Sequence, residues 1–460
     1  MKKGSKAALA ALKSGQNVFL SFGTIASPVL YAYLNTCREK NIVFCSPTNR
    51  TAFDSSSATL QRTFQIPDGP ILPQDIPNNI PPVIEKADII VIDNISSCRF
   101  DHFDYVARIL LLLRKKFAYL KPTAFKQLIV LGDFFLRPPS FSCKERTALA
   151  KHYGNFGKGY AFQSQMWESM NFVIISLENQ TPQTPTLRRL MQQFRLEDPS
   201  FFDRLNQIYL KRESKNSTGI SFCSDQEMAD KLNRKRRYYL HTKENTYPAF
   251  FTKGFDSDLP ASKYLTLAEG MPVVTLVADL EGRFDKGAFG HIVSLLDNSV
   301  TVCFDSAPEI EIRPYLWSMM AYENSSTTPG IEKHVIASFE QLPLAPAYAV
   351  SIADAQNMTY HNPIAIHPDR LDPDDLYAAL CCITSQKMIR LEKGLTSPNL
   401  LVAPELQTFF HKKLQVTESN AHKNAGRKRK YGDGVETCTI RIPKSAKQAV
   451  LDFLATNHWE

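Results

Sequence analysis

Short apolar runs and polar breaks alternate along the first third of the chain. Asn17–Phe22 (NVFLSF), Asn41–Thr48 (NIVFCSPT), Ile89–Ile92 and Gln127–Leu131 are nearly continuous apolar segments of strand length. Runs of this kind, without polar alternation, predict strands buried on both faces, as in a parallel sheet. Between them lie stretches of helical character: GTIASPVLYAYL, a polar segment from Thr48 to Thr59, and the amphipathic Phe100–Tyr119 with its basic patch Arg114, Lys115 and Lys116. Strand alternating with helix implies right-handed crossovers and a parallel sheet. Pro67–Pro82 (PDGPILPQDIPNNIPP) breaks the rhythm with six prolines, which predicts an extended, irregular excursion.

The pattern changes further along. Asn179–Arg189 (NQTPQTPTLRR) is polar with two prolines and predicts a linker. Leu190–Arg212 reads as helix, Gly219–Cys223 as strand, and the segment through Lys231–Arg237 as a basic helix. Gly270–Trp317 is made of short alternating strands with Gly and Asp turns, the signature of a small β-barrel or meander. Ala347–Ala355 returns to the strand–helix pattern. Glu418–Gly434 contains GRKRK, a solvated charged linker or a nucleic-acid or import segment. The last segment, TCTIRIPKSAKQAVLDFLA, predicts one strand and one helix, a pattern a little like the opening of a ribbon–helix–helix unit.

Composition narrows the class. The chain has 460 residues, 43% hydrophobic and 22% charged, with 54 basic against 46 acidic side chains and a net charge of +8. That length holds two or three domains, and the mild positive excess suits a polyanionic partner without demanding one. The longest apolar burst, around Ile109–Leu113, is far short of a membrane span. The start, MKKGSKAALAALKSGQNVFL, reads as a first helix and not a signal peptide, because Lys13, Ser14, Gly15 and Gln16 interrupt its apolar stretch. Nine cysteines without a C-x-x-C pair point to reduced thiols in an intracellular compartment, cytoplasmic or, in a eukaryote, nuclear. No membrane partner is expected.

Candidate chemistry sits at the strand tips, where open α/β sheets place their ligands. Ile89–Ile92 runs into Asp93 and Gln127–Leu131 into Gly132 and Asp133. An acid at such a tip holds Mg²⁺ in nucleotide hydrolases; it also serves as a plain strand-end acceptor for backbone N–H groups. A phosphate-binding loop would follow Phe22. Such loops need glycines, a Lys and a Ser or Thr. Counting from Gly23, Pro28 stands in the second Gly position, Val29 in that of the Lys and Leu30 in that of the Ser/Thr. Pro28 has no N–H to offer, so an ordinary strand–helix turn is the simpler reading.

Taken in order, these stretches resemble the Pif/RecD-like superfamily 1 DNA helicases over roughly 17–410. The resemblance is carried by NVFLSFGTIASPVL, NIVFCSPTNRTA with ATLQRTF, ADIIVIDNISSCRFDHFDYVAR, KQLIVLGDFFLRPPS, YAFQSQMW, FRLEDPSFFDRLNQI, EGRFDKGAFGHIVSLLDNSVTVCFD, LPLAPAYAVSIADAQNMTY and DLYAALCCITS. It implies an α/β fold: two RecA-like P-loop-type domains with parallel sheets, and a small β-barrel inserted in the second. The expected bounds are 1–180 for the first domain with a pin-like excursion at 65–84, 181–265 and 345–415 for the two parts of the second, and 266–344 for the barrel. A basic linker at 416–434 and a strand–helix appendage at 435–460 follow.

The departures from the family pattern bear on function. The loop Lys and Ser/Thr are Val29 and Leu30, the Glu after the Mg²⁺ acid is Asn94, the Gln of GDFFQ is Leu136, and His-Lys-Ser-Gln-Gly reads Ala353, Asp354, Ala355, Gln356, Asn357. The Ser-Arg whose Arg reaches the γ-phosphate is Cys381–Cys382. Asp93, Asp133, Arg195 and Gln356 survive, Asp93 as a weak Mg²⁺ ligand and Arg195 either facing phosphate or paired with Asp198 or another acid. The resemblance places Thr48, Arg50, Gln61, Arg62 and Arg137 on a single-stranded DNA path. It thus implies a helicase homologue that has lost ATP hydrolysis, needs no cofactor, and binds single-stranded DNA, another nucleic acid or a protein partner. The alternatives are an active ATP- and Mg²⁺-dependent 5′→3′ helicase in DNA replication, repair or recombination, and a protein-interaction scaffold.

Overall fold

The apolar runs of the first third form β1 (Val18–Ser21), β2 (Ile42–Ser46), β4 (Ile89–Ile92) and β5 (Gln127–Gly132), joined by the two-residue β3 (Ala58–Thr59) and by β6 (Val173–Ser176). All pair in parallel in the order β6-β1-β5-β4-β2-β3. Every residue of β4 is buried, which is why its sequence carries no alternation. Helices α1 (Lys3–Lys13), α2 (Pro28–Leu34), α3 (Asn49–Asp54), α4 (Leu60–Phe64), α5 (Pro82–Lys86), α6 (Phe100–Phe117) and α7 (Cys143–Tyr153) belong to this sheet. α2 begins with Pro28, whose fixed φ suits a first turn. α7 begins with a capping box between Ser142 and Glu145.

The computed structural model describes residues 3–410 except 23, 25, 118–125, 178–182, 199, 211–218, 253–258, 306–307, 327–329, 357, 367–370, 392–393 and 395–401. Residues 1–409 form one compact unit and 410–460 a second. Gly23, the basic linker and the C-terminal appendage lie outside the described residues.

The second half contributes α8 (Pro185–Arg195), α9 (Ser200–Leu210), β7 (Ile220–Cys223), α10 (Gln226–Tyr238), β18 (Ala349–Ser351), α11 (Ile352–Ala355), β19 (Ile364–Ile366), α12 (Pro373–Cys381) and β20 (Ile389–Leu391). Their strands form a separate parallel sheet in the order β18-β7-β19-β20. Between β7 and β18 the chain runs through β8 (Glu244–Pro248), β9 (Phe250–Phe251), β10 (Tyr264–Ala268), β11 (Pro272–Thr275), β12 (Phe289–Leu295), β13 (Val300–Phe304), β14 (Glu309–Ile312), β15 (Tyr315–Asn324), β16 (Ile331–Gln341) and β17 (Leu344–Pro346).

Four expectations change in detail. The helix expected from Thr48 to Thr59 stops at Asp54, because Ser56 takes a positive φ of 47° and Ala58–Thr59 pairs with β2. The expected linker Asn179–Arg189 is already helix from Pro185, with Thr184 capping it through the Leu187 N–H. The single helix expected over Leu190–Arg212 is two, divided where Glu197 turns left-handed. The stretch expected as one small barrel divides: β14-β13-β12-β11-β17 is an open antiparallel sheet over an apolar cluster it shares with the antiparallel β8–β10 pair. The long β15–β16 hairpin instead joins the first sheet, through Met320 opposite Ala58. The Pro-rich excursion carries no helix or strand between α4 and α5.

Candidate nucleotide cleft and nucleic-acid groove

The tips of β1, β4 and β5 lie side by side, as the parallel register requires. Asp93 at the tip of β4 is buried and accepts a hydrogen bond from the Asn94 N–H at 3.0 Å. Among the described residues no group of three or more His, Cys, Asp or Glu side chains is placed to hold a metal ion. Asn94 takes a positive φ of 58°, a conformation asparagine tolerates well. Its amide donates to Thr51 Oγ1 and Ser97 Oγ, both at 3.1 Å, and accepts from Ser96 Oγ. Those bonds tie the β4 tip to α3.

The first turn of α2 is apolar at the positions where a phosphate-binding motif carries its Lys and Ser/Thr. Val29 and Leu30 are 5% and 0% exposed and belong to the cluster of Leu12, Leu20, Ile89 and Ile129. Neither a cation nor a hydroxyl side chain occupies those two positions. Phe22, at a positive φ of 63°, turns the chain away from β1.

Over that turn sits Arg195, from the last turn of α8. Its guanidinium lies 3.7 Å from the Phe22 ring centroid. Its Nε donates to the Tyr377 hydroxyl at 2.6 Å, and Nη2 stands 3.7 Å from Asp133 Oδ2. The Tyr377 hydroxyl in turn donates to Asp133 at 2.7 Å, as does the Phe135 N–H at 3.0 Å. Burial pushes the Asp133 carboxyl up, against the pull of Arg195, Tyr377 and that amide. Asp198, the other expected partner of Arg195, is held by Gln193 and Ser200 instead.

Cys382 is buried, with its thiol 3.1 Å from the Ala378 carbonyl and its pKa raised to about 12 by burial. It is a neutral side chain where the family pattern has an Arg. Leu136 follows in the turn after Asp133, its N–H bonded to the Asp133 carbonyl. Gln356 Nε2 is buried with no hydrogen-bond partner among the described residues, as is the Ser21 hydroxyl at the tip of β1.

A groove of about 750 Å³ runs beside this cleft. Arg50 and Arg137 line it, with Arg234 and Arg237 from α10 and the exposed Tyr264 from β10. The last three were missed in the sequence, although the run Lys231–Arg237 carried the signal for the two arginines. Of the other expected contacts, Thr48 spends its hydroxyl capping α3 through the Thr51 N–H. Gln61 and Arg62 lie on α4, outside the groove lining. Arg50 is paired with Asp354, and Arg137 Nε stands 3.1 Å from Asp375 Oδ1.

The sequence is 23% identical to the ATP-dependent DNA helicase Pif1 of Campylobacter jejuni, over 67% of this chain and 70% of that protein. A crystal structure of Bacteroides Pif1 with ADP-AlF4 matches at a TM-score of 0.77 and 25% identity, covering 91% of this chain and 98% of that one. The chain resembles Pif1-like superfamily 1 helicases in sequence and fold. No protein-family model matches it. A Bacteroides Pif1 structure bound to single-stranded DNA matches this Pif1-like chain at a TM-score of 0.59, with 25% identity and the same coverage. The matches to Pif1 helicases of Bdellovibrio bacteriovorus and Danio rerio span 62% and 56% of those proteins. No helix among the described residues is long and apolar enough to cross a membrane.

Proposed function

We propose that this chain is a Pif1-like protein that binds single-stranded nucleic acid without turning over ATP. The observation that carries the proposal is the burial of Val29 and Leu30 in the first core, where a phosphate loop needs a Lys and a hydroxyl. Phosphoryl transfer depends on positioning and charge, and an arginine finger alone contributes about 10³–10⁵ in rate. Asn94 cannot accept a proton, Leu136 cannot hydrogen-bond a phosphate, and Cys382 carries no positive charge. The joint loss of loop cation, metal-binding hydroxyl, water-handling acid and finger leaves too little to accelerate hydrolysis. Binding needs none of them. The groove offers arginines for phosphates and Tyr264 for a base, the usual combination for sequence-tolerant binding of single strands, and a Bacteroides Pif1 bound to single-stranded DNA shares the fold.

Steady-state ATPase activity of the full chain, with Mg²⁺ and with or without single-stranded DNA, tests the proposal. The expected rate is the no-enzyme baseline in both conditions. A DNA-stimulated turnover that Asp93→Ala abolishes would make the chain a working helicase motor and overturn the reading.

A further inference from the structure

The two arginines that line the groove from the first half of the chain are both engaged by acids of the second half. Arg50 on α3 meets Asp354 on α11, and Arg137 after β5 meets Asp375 on α12. Besides its four arginines the groove is lined by Asp225, Asp230 and Asp354. With Asp375 behind Arg137, four cations face four carboxylates, and Glu244 stands 3.3 Å from Arg237. A groove so balanced attracts a polyanion weakly, since affinity comes from protein cations neutralising phosphates and releasing their condensed counterions, and a cation already paired with an acid must first give up that partner.

The two pairs differ in burial. Arg50 and Asp354 are each 27% exposed, so water reaches both partners, and pairs of this kind are weak and exchangeable. Asp375 is only 7% exposed beside an Arg137 that is 36% exposed. An acid so placed loses more when its cation leaves, because it stays behind with little solvent. We infer that the chain gates its own groove: Asp354 and Asp375 hold Arg50 and Arg137 in the place of phosphates, and a strand enters by displacing them. This rests on the nucleic-acid reading above and adds its regulation.

The test is equilibrium binding of a fluorescently labelled oligothymidine to the full chain and to Asp354→Asn, Asp375→Asn and the double variant, across a salt series. Each substitution keeps shape and removes charge. The double variant is expected to bind about tenfold tighter at moderate salt, with a log–log salt slope steeper by about 0.7 per freed phosphate contact. Arg50→Ala added to Asp354→Asn is expected to erase that variant's gain. Asp230→Asn serves as the control, because it removes a groove acid whose partner is Gln226 and not one of these arginines.

Unchanged or weaker binding by the Asn variants, or an equal gain from Asp230→Asn, sinks the gate while leaving the nucleic-acid reading intact. Failure of wild type and variants alike to bind at low salt sinks both. Should Asp375→Asn not fold, Asp354→Asn decides the matter, because its carboxylate lies outside the core.

Discussion

At the residue scale, Tyr377 ties together the cleft at the strand tips. Its hydroxyl is at once acceptor for Arg195 and donor to Asp133, and its ring packs against Phe135 and Phe194. Tyr377→Phe keeps the ring contacts and removes both hydrogen bonds. Asp133 would remain buried with one donor fewer, at a cost of about 1–3 kcal/mol. A urea titration of the variant is therefore expected to show a lower midpoint at an unchanged slope. An unshifted midpoint would mean that Arg195 and Asp133 need no hydroxyl between them. This arrangement was not legible in the sequence, because Phe22, Asp133, Arg195 and Tyr377 come from four separated segments. Phe22 and Tyr377 carry no mark in the sequence, and only the folded chain stacks the guanidinium on the Phe22 ring. The two tip acids themselves were legible, since an apolar run that ends on Asp marks its own boundary.

At the element scale, the parallel strands could be read directly, because β1, β2, β4 and β5 are buried on both faces and their sequences are correspondingly unbroken. The breaks were harder to read. Ser56 and Glu197 end helices through positive φ, a choice the surrounding packing makes and residue type does not announce. The β15–β16 hairpin alternates like its neighbours, and its strand pairing with the first sheet is the single pair Met320–Ala58, beside a bond from the Phe44 N–H to the Tyr322 hydroxyl; neither leaves a periodic trace. Gly132 shows an element boundary with a steric cause. Its φ is 144°, and an added Cβ would stand 3.0 Å from the Ile95 N, where the turn after β4 crosses the end of β5. Gly132→Ala must strain that φ or push the Asn94–Ile95 turn aside, and about 1–3 kcal/mol of destabilisation is expected. Thermal melts of the purified variant check this: an unchanged Tm would show that the turn has room.

At the scale of the whole molecule, the two halves meet through opposite charges, and one of these charges titrates in an accessible range. Burial, with Asp372 and Asp374 nearby, pushes the Asp375 carboxyl up to about 6 although Arg137 pulls it down. Asp374 is raised too, chiefly by burial, and is paired with Lys158. A carboxyl whose pKa is higher folded than unfolded favours the folded state while protonated. Its contribution is complete below about pH 4 and is lost as pH rises through about 6. In the gate proposed above, the same proton is expected to act on the groove: an ionised Asp375 holds Arg137, and a protonated one releases the guanidinium to a phosphate. Oligothymidine affinity is therefore expected to rise as pH falls from about 7 through 6, beyond the change seen in Asp375→Asn, which has no such proton to gain. Binding curves for the two proteins between about pH 5 and 8 make the comparison. Parallel curves would mean that Arg137 stays with α12 whatever the charge on Asp375, and that the groove opens, if at all, through Asp354 alone.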